Sequence, residues 1–175
     1  KAMRKDGAEF IIVYPHWGIE YQMTEASWQR EIAQKLCDMG VDAIIGGHPH
    51  VIEPVDVFTS EDGTHKTFCA FSLGNQLSNQ RREMMRLKTG NTEDGLFIDL
   101  EITRNKKGDV SLTGVKYIPT WVYKNASGPT YSIVPVDDPS TVEEKTGIKG
   151  IQAQAQASYD RTYKIIGDGV NKVSE

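Results

Sequence analysis

The hydrophobic pattern at the start of the chain alternates between strand-like and helix-like segments. Glu9–Tyr14 (EFIIVY) and Val41–Ile45 (VDAII) are short, apolar, β-branched runs typical of buried strands. Between them a helix is predicted, with Thr24 as its N-cap and Gly40 as its stop. Its apolar residues recur at helical spacing: Trp28, Ile32, Ala33, Leu36 and either Cys37 or Met39. Strand, helix and strand in this order predict a βαβ unit with parallel strands.

Further along the chain the pattern indicates antiparallel strands. Val55–Phe58 and Thr67–Leu73, joined by a turn at 61–63, predict a hairpin. After a polar loop over 78–95, two more strands are expected at Leu96–Thr103 and Ser111–Tyr123. The aromatic residues assigned to the core are Tyr14, Phe58, Phe68, Phe71 and Phe97.

The C-terminal part of the chain has a weaker pattern. Residues 125–147 are rich in Pro, Gly, Asp and Ser and are expected to cross the surface, whereas helical spacing of apolar residues predicts a helix over 149–166. The chain therefore divides into a main domain over 1–124 and a C-terminal extension over 125–175.

Composition narrows the class of protein. With 175 residues and 38% hydrophobic residues, the chain is the size of one globular domain. Its net charge of −4 argues against nucleic acid as a partner. Lys1–Gly7 resembles the end of a helix, so we expect the natural protein to continue before residue 1. Cys37 and Cys69 lie at apolar positions and are interpreted as buried free thiols, with a disulfide left open.

Three of the four histidines follow the two predicted parallel strands. His16 comes directly after the first strand, and His48 and His50 come after the second. Parallel strands of a βαβ unit end at the same edge of the sheet, where ligands bind in such folds. Pro49 stiffens the second loop between its two histidines. His65 lies in the hairpin turn and is interpreted as a solvated surface residue.

Several imidazoles on stiff loops at one edge predict a metal site. Imidazole is a ligand for Zn, Mn, Fe or Ni. Three histidines alone would suit one zinc with an open position, whereas a Mn or Fe site normally adds carboxylates. Glu20 either orients a ligand or is a solvated turn residue, and both interpretations stay open. Asp42 is excluded because it lies at the opposite end of its strand.

Three further residues near this edge each have two interpretations. Trp17 either stacks on a substrate or packs beside the site, and packing is favoured. Asn75 follows the strand that ends at Leu73 and either faces the metals or forms a turn. Arg81, with Arg82, either clamps an anionic substrate or forms a solvated pair of loop charges, and the second is favoured.

Several blocks of residues in order resemble a known family. Gly47–His50 (GHPH) resembles the closing G-H-x-H motif of the calcineurin-like metallophosphoesterases, and His16 resembles the isolated histidine that precedes it. The wider blocks are similar to the CapA/PgsA proteins of bacterial poly-γ-glutamate capsule synthesis, over about residues 8–123. These blocks are HWGIEY at 16–21, GGHPHV at 46–51, FSLGN at 71–75, SNQR at 78–81 and TEDG at 92–95.

The resemblance implies the C-terminal portion of a calcineurin-like metallophosphoesterase fold, an α/β fold with a mixed β sandwich flanked by helices. It implies two divalent metal ions (Mn, Zn or Fe), with His16 and His48 on one ion and His50 on the other. The family's remaining ligands lie in an N-terminal half, and D-x-H, G-D-x-x-D and G-N-H motifs are absent from this chain. The chain therefore carries about half of a metal site, and no catalytic residue is assigned.

The resemblance implies a metal-dependent hydrolase domain in capsule biosynthesis or export when full length. The chain alone is expected to bind metal weakly and to turn over nothing. The implied partners are an anionic polymer or a phosphorylated substrate, the missing N-terminal half and the capsule synthesis and export machinery. The implied location is the extracellular face of the cell envelope, with an anchor in a preceding segment. A non-catalytic envelope scaffold and a generic phosphoesterase with a cytosolic start remain alternatives.

Overall fold

A four-stranded sheet forms the first half of the fold. The computed structural model describes residues 2–128, 130–170 and 172. The strands of the sheet lie in the order β1-β2-β4-β3. They are β1 (Ile12–Val13), β2 (Ala43–Ile45), β3 (Val55–Thr59) and β4 (Lys66–Ala70). β1 and β2 are parallel, with Ile12 opposite Ala43. The predicted parallel pair is therefore confirmed, although β1 is shorter than the apolar run that predicted it.

The predicted hairpin is confirmed, but one of its strands has a second partner. β3 and β4 are antiparallel, and the turn between them closes with the Gly63 N–H donating to Ser60 O. β4 also pairs in parallel with β2, which the sequence pattern did not indicate. Because β1, β2 and β4 run in the same direction, the residues that follow all three strands emerge at one edge of the sheet.

The helix between β1 and β2 differs from its prediction in its start and in its buried face. A short helix, α1 (Ala2–Lys5), precedes β1, and the crossover helix is α2 (Ser27–Asp38). Its N-cap position is Ala26 rather than Thr24, and Gln29 Oε1 accepts the Ala26 N–H. Its buried residues are Gln29, Ala33 and Cys37, whereas Trp28, Ile32 and Met39 are exposed. Gln29 turns inward because its amide finds polar partners in the interior.

The second half of the chain forms a three-stranded antiparallel sheet. Its strands, in spatial order, are β5 (Asp94–Arg104), β6 (Val110–Lys124) and β7 (Tyr131–Pro135). β5 and β6 match the predicted strands. The polar segment before them contains α3 (Arg82–Met85) and a 3-10 turn at Asn91–Glu93. β7 corrects the prediction for 125–147, because this segment adds a strand to the sheet rather than only crossing the surface.

The two sheets share an apolar cluster, and a long helix contacts both. The predicted terminal helix is present as α5 (Gln152–Val170), preceded by α4 (Val142–Thr146) and a 3-10 turn at Pro139–Thr141. Ile166 of α5 lies in a cluster with Phe68 and Ala70 of β4 and Leu96 of β5. A second cluster, beneath β7, unites Trp121, Val134, Val136, Val142, Ile151 and Ala155.

The fold is a mixed α/β structure, which confirms the predicted class at that level. The division predicted between residues 124 and 125 passes between the paired strands β6 and β7. Whether 125–175 is an extension relative to related proteins stays a prediction. No helix in the described part of the chain is both long and apolar enough to cross a membrane.

The aromatic residues are placed partly as predicted. Phe58, Phe68 and Phe71 are buried, but Tyr14 is 70% exposed and Phe97 is 45% exposed. Tyr14 follows β1 at the edge of its sheet, and Phe97 lies on the opposite face of β5 from Leu96, which fills the core. Cys37 and Cys69 are free and buried, which confirms their interpretation as buried free thiols.

Candidate functional site

The loops that follow β1 and β2 lie side by side at the carboxyl edge of the first sheet. His16 and Gly47 form an isolated parallel bridge beyond the ends of the two strands. The Trp17 N–H donates to Gly47 O at 3.0 Å, and the Gly47 N–H donates to Pro15 O at 3.1 Å. The main chains of the two loops are therefore joined in register, and this register brings His16 next to His48.

The three predicted histidines form a row of rings along this edge. The ring centroids of His16 and His48 are 4.4 Å apart, and those of His48 and His50 are 6.2 Å apart. Within residues 2–128, 130–170 and 172, no group of three or more His, Cys, Asp or Glu side chains is arranged to hold a metal ion. The donor type thus suits a transition metal, but the number of converging donors falls short of a complete site.

The histidine loop between β2 and β3 has an unusual backbone. His48 and His50, on either side of Pro49, both have positive φ, at 115° and 61°. Such conformations cost free energy for a residue with a Cβ and persist only where the surroundings enforce them. Here the Tyr21 N–H donates to Pro49 O at 2.8 Å, which fixes the centre of the loop. Backbone strain of this kind clusters at functional sites.

Trp17 is a packed residue beneath the histidine loops. Its side chain is buried, stacks on Phe71 with centroids 5.9 Å apart, and donates its indole N–H to Phe71 O at 2.8 Å. Gly46 permits this arrangement, because a Cβ there would lie 2.0 Å from Phe71 O. The contacts agree with the favoured interpretation of Trp17 as packing.

Asn75 follows β4 and reaches His50. Its side-chain oxygen lies 3.1 Å from His50 Nδ1, and its amide nitrogen lies 3.1 Å from His50 O. The same nitrogen contacts Gln80 Oε1 and Thr92 O. Asn75 reaches the site because β4 pairs in parallel with β2, so that its following loop emerges beside the histidines.

Glu20 and Arg81, the two charged candidates, have different surroundings. Glu20 Oε1 is 3.8 Å from His50 Nε2, beyond hydrogen-bond distance, and its side chain is half-exposed. Arg81 is largely buried, donates to Val122 O and Glu83, and lies 3.5 Å from Glu93 Oε2. Arg81 thus links the segment before β5 to β6, in place of the solvated charge that the sequence suggested.

His65 lies at the opposite edge of the sheet. Its Nε2 is 2.7 Å from Val41 O, and its side chain is only about a quarter exposed, at 27%. The prediction of a solvated surface histidine is therefore wrong. The reason is that the turn residue folds back over the start of β2, where Val41 O contacts its ring nitrogen and also accepts from the Thr67 hydroxyl.

Sequence reasoning missed three residues that support the histidine loops, namely Tyr21, Gln29 and Glu53. The ring of Tyr21 stacks on His50 at 5.9 Å. Glu53 is fully buried, with one oxygen bound by Gln29 Nε2 at 2.9 Å. Burial raises the pKa of Glu53 to about 7, although the hydrogen bond from Gln29 lowers it. A Glu two residues before a predicted strand carries no periodic signal, and only its neighbours in space reveal its role.

Glu53 and Gln29 lie directly beneath the two loops. A Cβ at Gly18 would lie 2.7 Å from the Pro49 ring, 3.1 Å from Gln29 Nε2 and 3.3 Å from Glu53 Oε1. Gly18 also has a φ of 97°, which favours glycine. The loop after β1 therefore rests closely on both the proline of the second loop and the buried carboxyl.

Comparison with known proteins identifies the segment that carries this site. Residues 1–80 match the family model described as "Bacterial capsule synthesis protein PGA_cap". Over these residues, the chain is similar to this capsule synthesis family. His16, His48, His50 and Asn75 all lie within the matched segment.

Two curated relatives agree with the family match. "PGA biosynthesis protein CapA" of Bacillus subtilis (strain 168) is 31% identical over 111 residues, which cover 63% of this chain and 26% of the relative. "Capsule biosynthesis protein CapA" of Bacillus anthracis is 34% identical over 80 residues, which cover 46% of this chain and 18% of the relative. The aligned part of the chain thus spans about a quarter or less of each relative's length.

Proposed function

We propose that the chain is the histidine-bearing part of a capsule synthesis protein that handles poly-γ-glutamate, with a metallophosphoesterase-like site for two divalent metal ions. The observation that carries this proposal is the row formed by His16, His48 and His50 on stiff, strained loops within the family-matched segment. The mixed α/β fold with two sheets is compatible with the C-terminal portion of a metallophosphoesterase fold.

The donors on this chain would make up part of that site. His16 and His48 are close enough to serve one ion, and His50 would serve the other. The remaining ligands would come from another part of a longer protein, in keeping with the greater length of the relatives. Two bound ions (Mn, Zn or Fe) would supply an activated water and stabilise the negative charge on a phosphoryl or similar oxyanion.

The proposed substrate is an anionic polymer or a phosphorylated compound, and the proposed setting is the extracellular face of the cell envelope with the capsule synthesis and export machinery. The names of the two relatives refer to capsule or PGA biosynthesis. The net charge of −4 supports the exclusion of nucleic acid as a partner.

A non-catalytic scaffold for polymer export is the second candidate. It is favoured by one observation, namely that no three-residue metal cluster forms within the part of the chain that the structure describes. In that case the histidine row would be a structural remnant without affinity for metal. A generic phosphoesterase has no comparable support, because the family match points to capsule synthesis.

Titration of the chain with Zn²⁺ and Mn²⁺ by calorimetry tests the proposal. We expect weak binding that falls by more than about tenfold in His16→Ala and in His48→Ala, because each change removes a ligand. His65→Ala is the matched control, since it removes an imidazole at the opposite edge and should leave binding unchanged. An absence of binding to the unmodified chain would favour the scaffold.

Phosphodiesterase activity provides the second measurement. With about half of its ligands, the chain alone should not hydrolyse bis(p-nitrophenyl) phosphate in the presence of Mn²⁺ or Zn²⁺. Robust, metal-dependent turnover by this chain would contradict the proposal that the site needs ligands from elsewhere.

A further inference from the structure

The orientation of the Asn75 side chain is determined by its neighbours. Its amide nitrogen faces two backbone carbonyls, His50 O at 3.1 Å and Thr92 O at 2.9 Å. A carbonyl oxygen can only accept a hydrogen bond. A flipped Asn75 would place its own oxygen against both carbonyls, so the nitrogen must occupy this position. Asn75 Oδ1 therefore faces His50 Nδ1, at 3.1 Å.

This orientation has a consequence for the proton on His50. Because Asn75 Oδ1 can only accept, a hydrogen bond between the two groups requires that His50 Nδ1 carries the proton. We infer that Asn75 is a positioning residue that holds neutral His50 in its Nδ1–H tautomer, which leaves the lone pair on Nε2. The nitrogen available to a cation or a substrate proton is then Nε2, on the side of the ring where Glu20 lies.

Tyr21 and Gln80 close a ring of contacts around this pair. Gln80 Oε1 lies 3.0 Å from the Asn75 amide nitrogen, and Gln80 Nε2 donates to the Tyr21 hydroxyl at 3.3 Å. The Tyr21 ring in turn stacks on His50, with centroids 5.9 Å apart. Tyr21 also has a φ of 65°, which is a strained backbone conformation for a residue with a Cβ. The contacts limit rotation of the imidazole and of the amide that holds it.

His65 serves as a comparison within the same chain, because the proton is expected on its other ring nitrogen, Nε2. Its Nε2 lies 2.7 Å from Val41 O, which can only accept, so His65 must carry its proton on Nε2. The contacts thus place a proton on opposite ring nitrogens of the two histidines, Nδ1 in His50 and Nε2 in His65. The two assignments follow from the same argument at two edges of the sheet, and one spectrum measures both.

Long-range ¹H–¹⁵N correlation spectra of the metal-free chain at a pH of about 8.5, where free imidazole is neutral, test the inference. We expect the ¹⁵N shift of a protonated nitrogen at Nδ1 of His50 and at Nε2 of His65. A His50 ring protonated mainly at Nε2 would overturn the inference, and this result needs no variant.

Variants then test the role of Asn75. In Asn75→Ala, His50 should shift toward a mixture of tautomers while His65 is unchanged. Gln80→Ala leaves the two backbone acceptors of Asn75 in place and should preserve the Nδ1–H tautomer, as should the neighbouring control Asn79→Ala. A folded Asn75→Ala chain with His50 still wholly Nδ1–H would contradict the positioning role. If that variant does not fold, loss of the tautomer in Gln80→Ala would contradict the assignment to Asn75.

Only the use of Nε2 as a metal ligand depends on the proposed function. Zn²⁺ added to the same sample should move the Nε2 resonance of His50 more than its Nδ1 resonance. No response to Zn²⁺ would count against the proposed function and leave the tautomer result intact. A response centred on Nδ1 would overturn the inference.

Discussion

Glu53 shows how a single residue links the stability of the fold to the histidine loops. Its side chain is fully buried, and within the described residues its Oε1 has no hydrogen-bond partner. Gln29 supplies a neutral donor but no positive charge. Burial of a carboxylate under these conditions favours the protonated form, which is why the pKa of Glu53 rises to about 7.

The raised pKa of Glu53 makes stability depend on pH. Because the folded state holds this proton up to pH 7 and the unfolded state releases it near pH 4.5, the contribution of Glu53 to stability is lost as the pH rises through this window. Glu53→Gln removes the charge but keeps the shape. It should raise the free energy of unfolding at pH 8 by up to about 3 kcal/mol and change it little near pH 4. Urea unfolding at both pH values measures the difference.

Glu61→Gln is the matched control for this prediction, because Glu61 is exposed in the hairpin turn. It should leave the free energy of unfolding nearly unchanged at both pH values. If Glu53→Gln destabilised the chain at pH 8, Glu53 would have to be a stabilised carboxylate, contrary to its surroundings.

At the residue scale, the sequence identified the histidines and Asn75, but not the other groups that hold the histidine loops. His16, His48 and His50 were predictable because strand ends and proline spacing are local signals. The strained φ angles of His48 and His50 and the roles of Tyr21 and Glu53 were not. They depend on which loops meet in space, and polar residues without periodicity do not show this in a sequence.

At the scale of elements, α5 depends on close contact with the first sheet. Gly169 lies so near β3 that a Cβ there would be 1.8 Å from Val55 O. Ile166, one turn earlier, is fully buried in the cluster that both sheets share. Earlier in the helix, Arg161 donates twice to Asp94 at the start of β5. The helix therefore bridges the two sheets.

Two glycines near the end of α5 allow a matched test of this contact. Gly169→Ala should destabilise the chain by about 2 kcal/mol or more, because the new methyl group collides with the backbone of β3. Gly167→Ala meets nothing within 4 Å, so it should stabilise the chain by up to about 1 kcal/mol through helix propensity. Thermal unfolding followed by circular dichroism compares the two. Equal effects would show that α5 does not rest on β3 at this point.

Helices and strands were predicted well where they depend on local sequence patterns, and poorly where they depend on pairing between strands that are distant in the sequence. The parallel pair, the hairpin, β5, β6 and α5 follow from periodicity and turn residues. The insertion of β4 beside β2, and the addition of β7 to β6, depend on pairings that no local pattern encodes. The buried face of α2 was predicted only in part: Ala33 and Cys37 are buried, but Gln29 takes the place expected for Trp28 and Ile32, because its amide has partners inside the fold.

At the scale of the whole molecule, the two thiols report on whether the first sheet opens independently. Cys37 of α2 and Cys69 of β4 belong to the same buried cluster, which also contains Trp17 and Phe71. Burial raises the pKa of both thiols. A thiolate is the reactive species, so both burial and the raised pKa protect these residues in the folded chain.

Labelling with a thiol reagent at a pH of about 8 should therefore modify neither cysteine until the chain unfolds. Both should then react together, with a urea midpoint equal to that of the circular dichroism signal. Buried clusters join α2 to the first sheet, and the first sheet to α5 and the second sheet, and small domains usually unfold in one transition. Mass spectrometry of the labelled chain counts the modified thiols, and labelling in concentrated urea gives the reference rate. Reaction of Cys37 alone below the midpoint would instead show that α2 detaches from the sheet before the rest of the molecule unfolds, and the histidine loops beside it would then open locally as well.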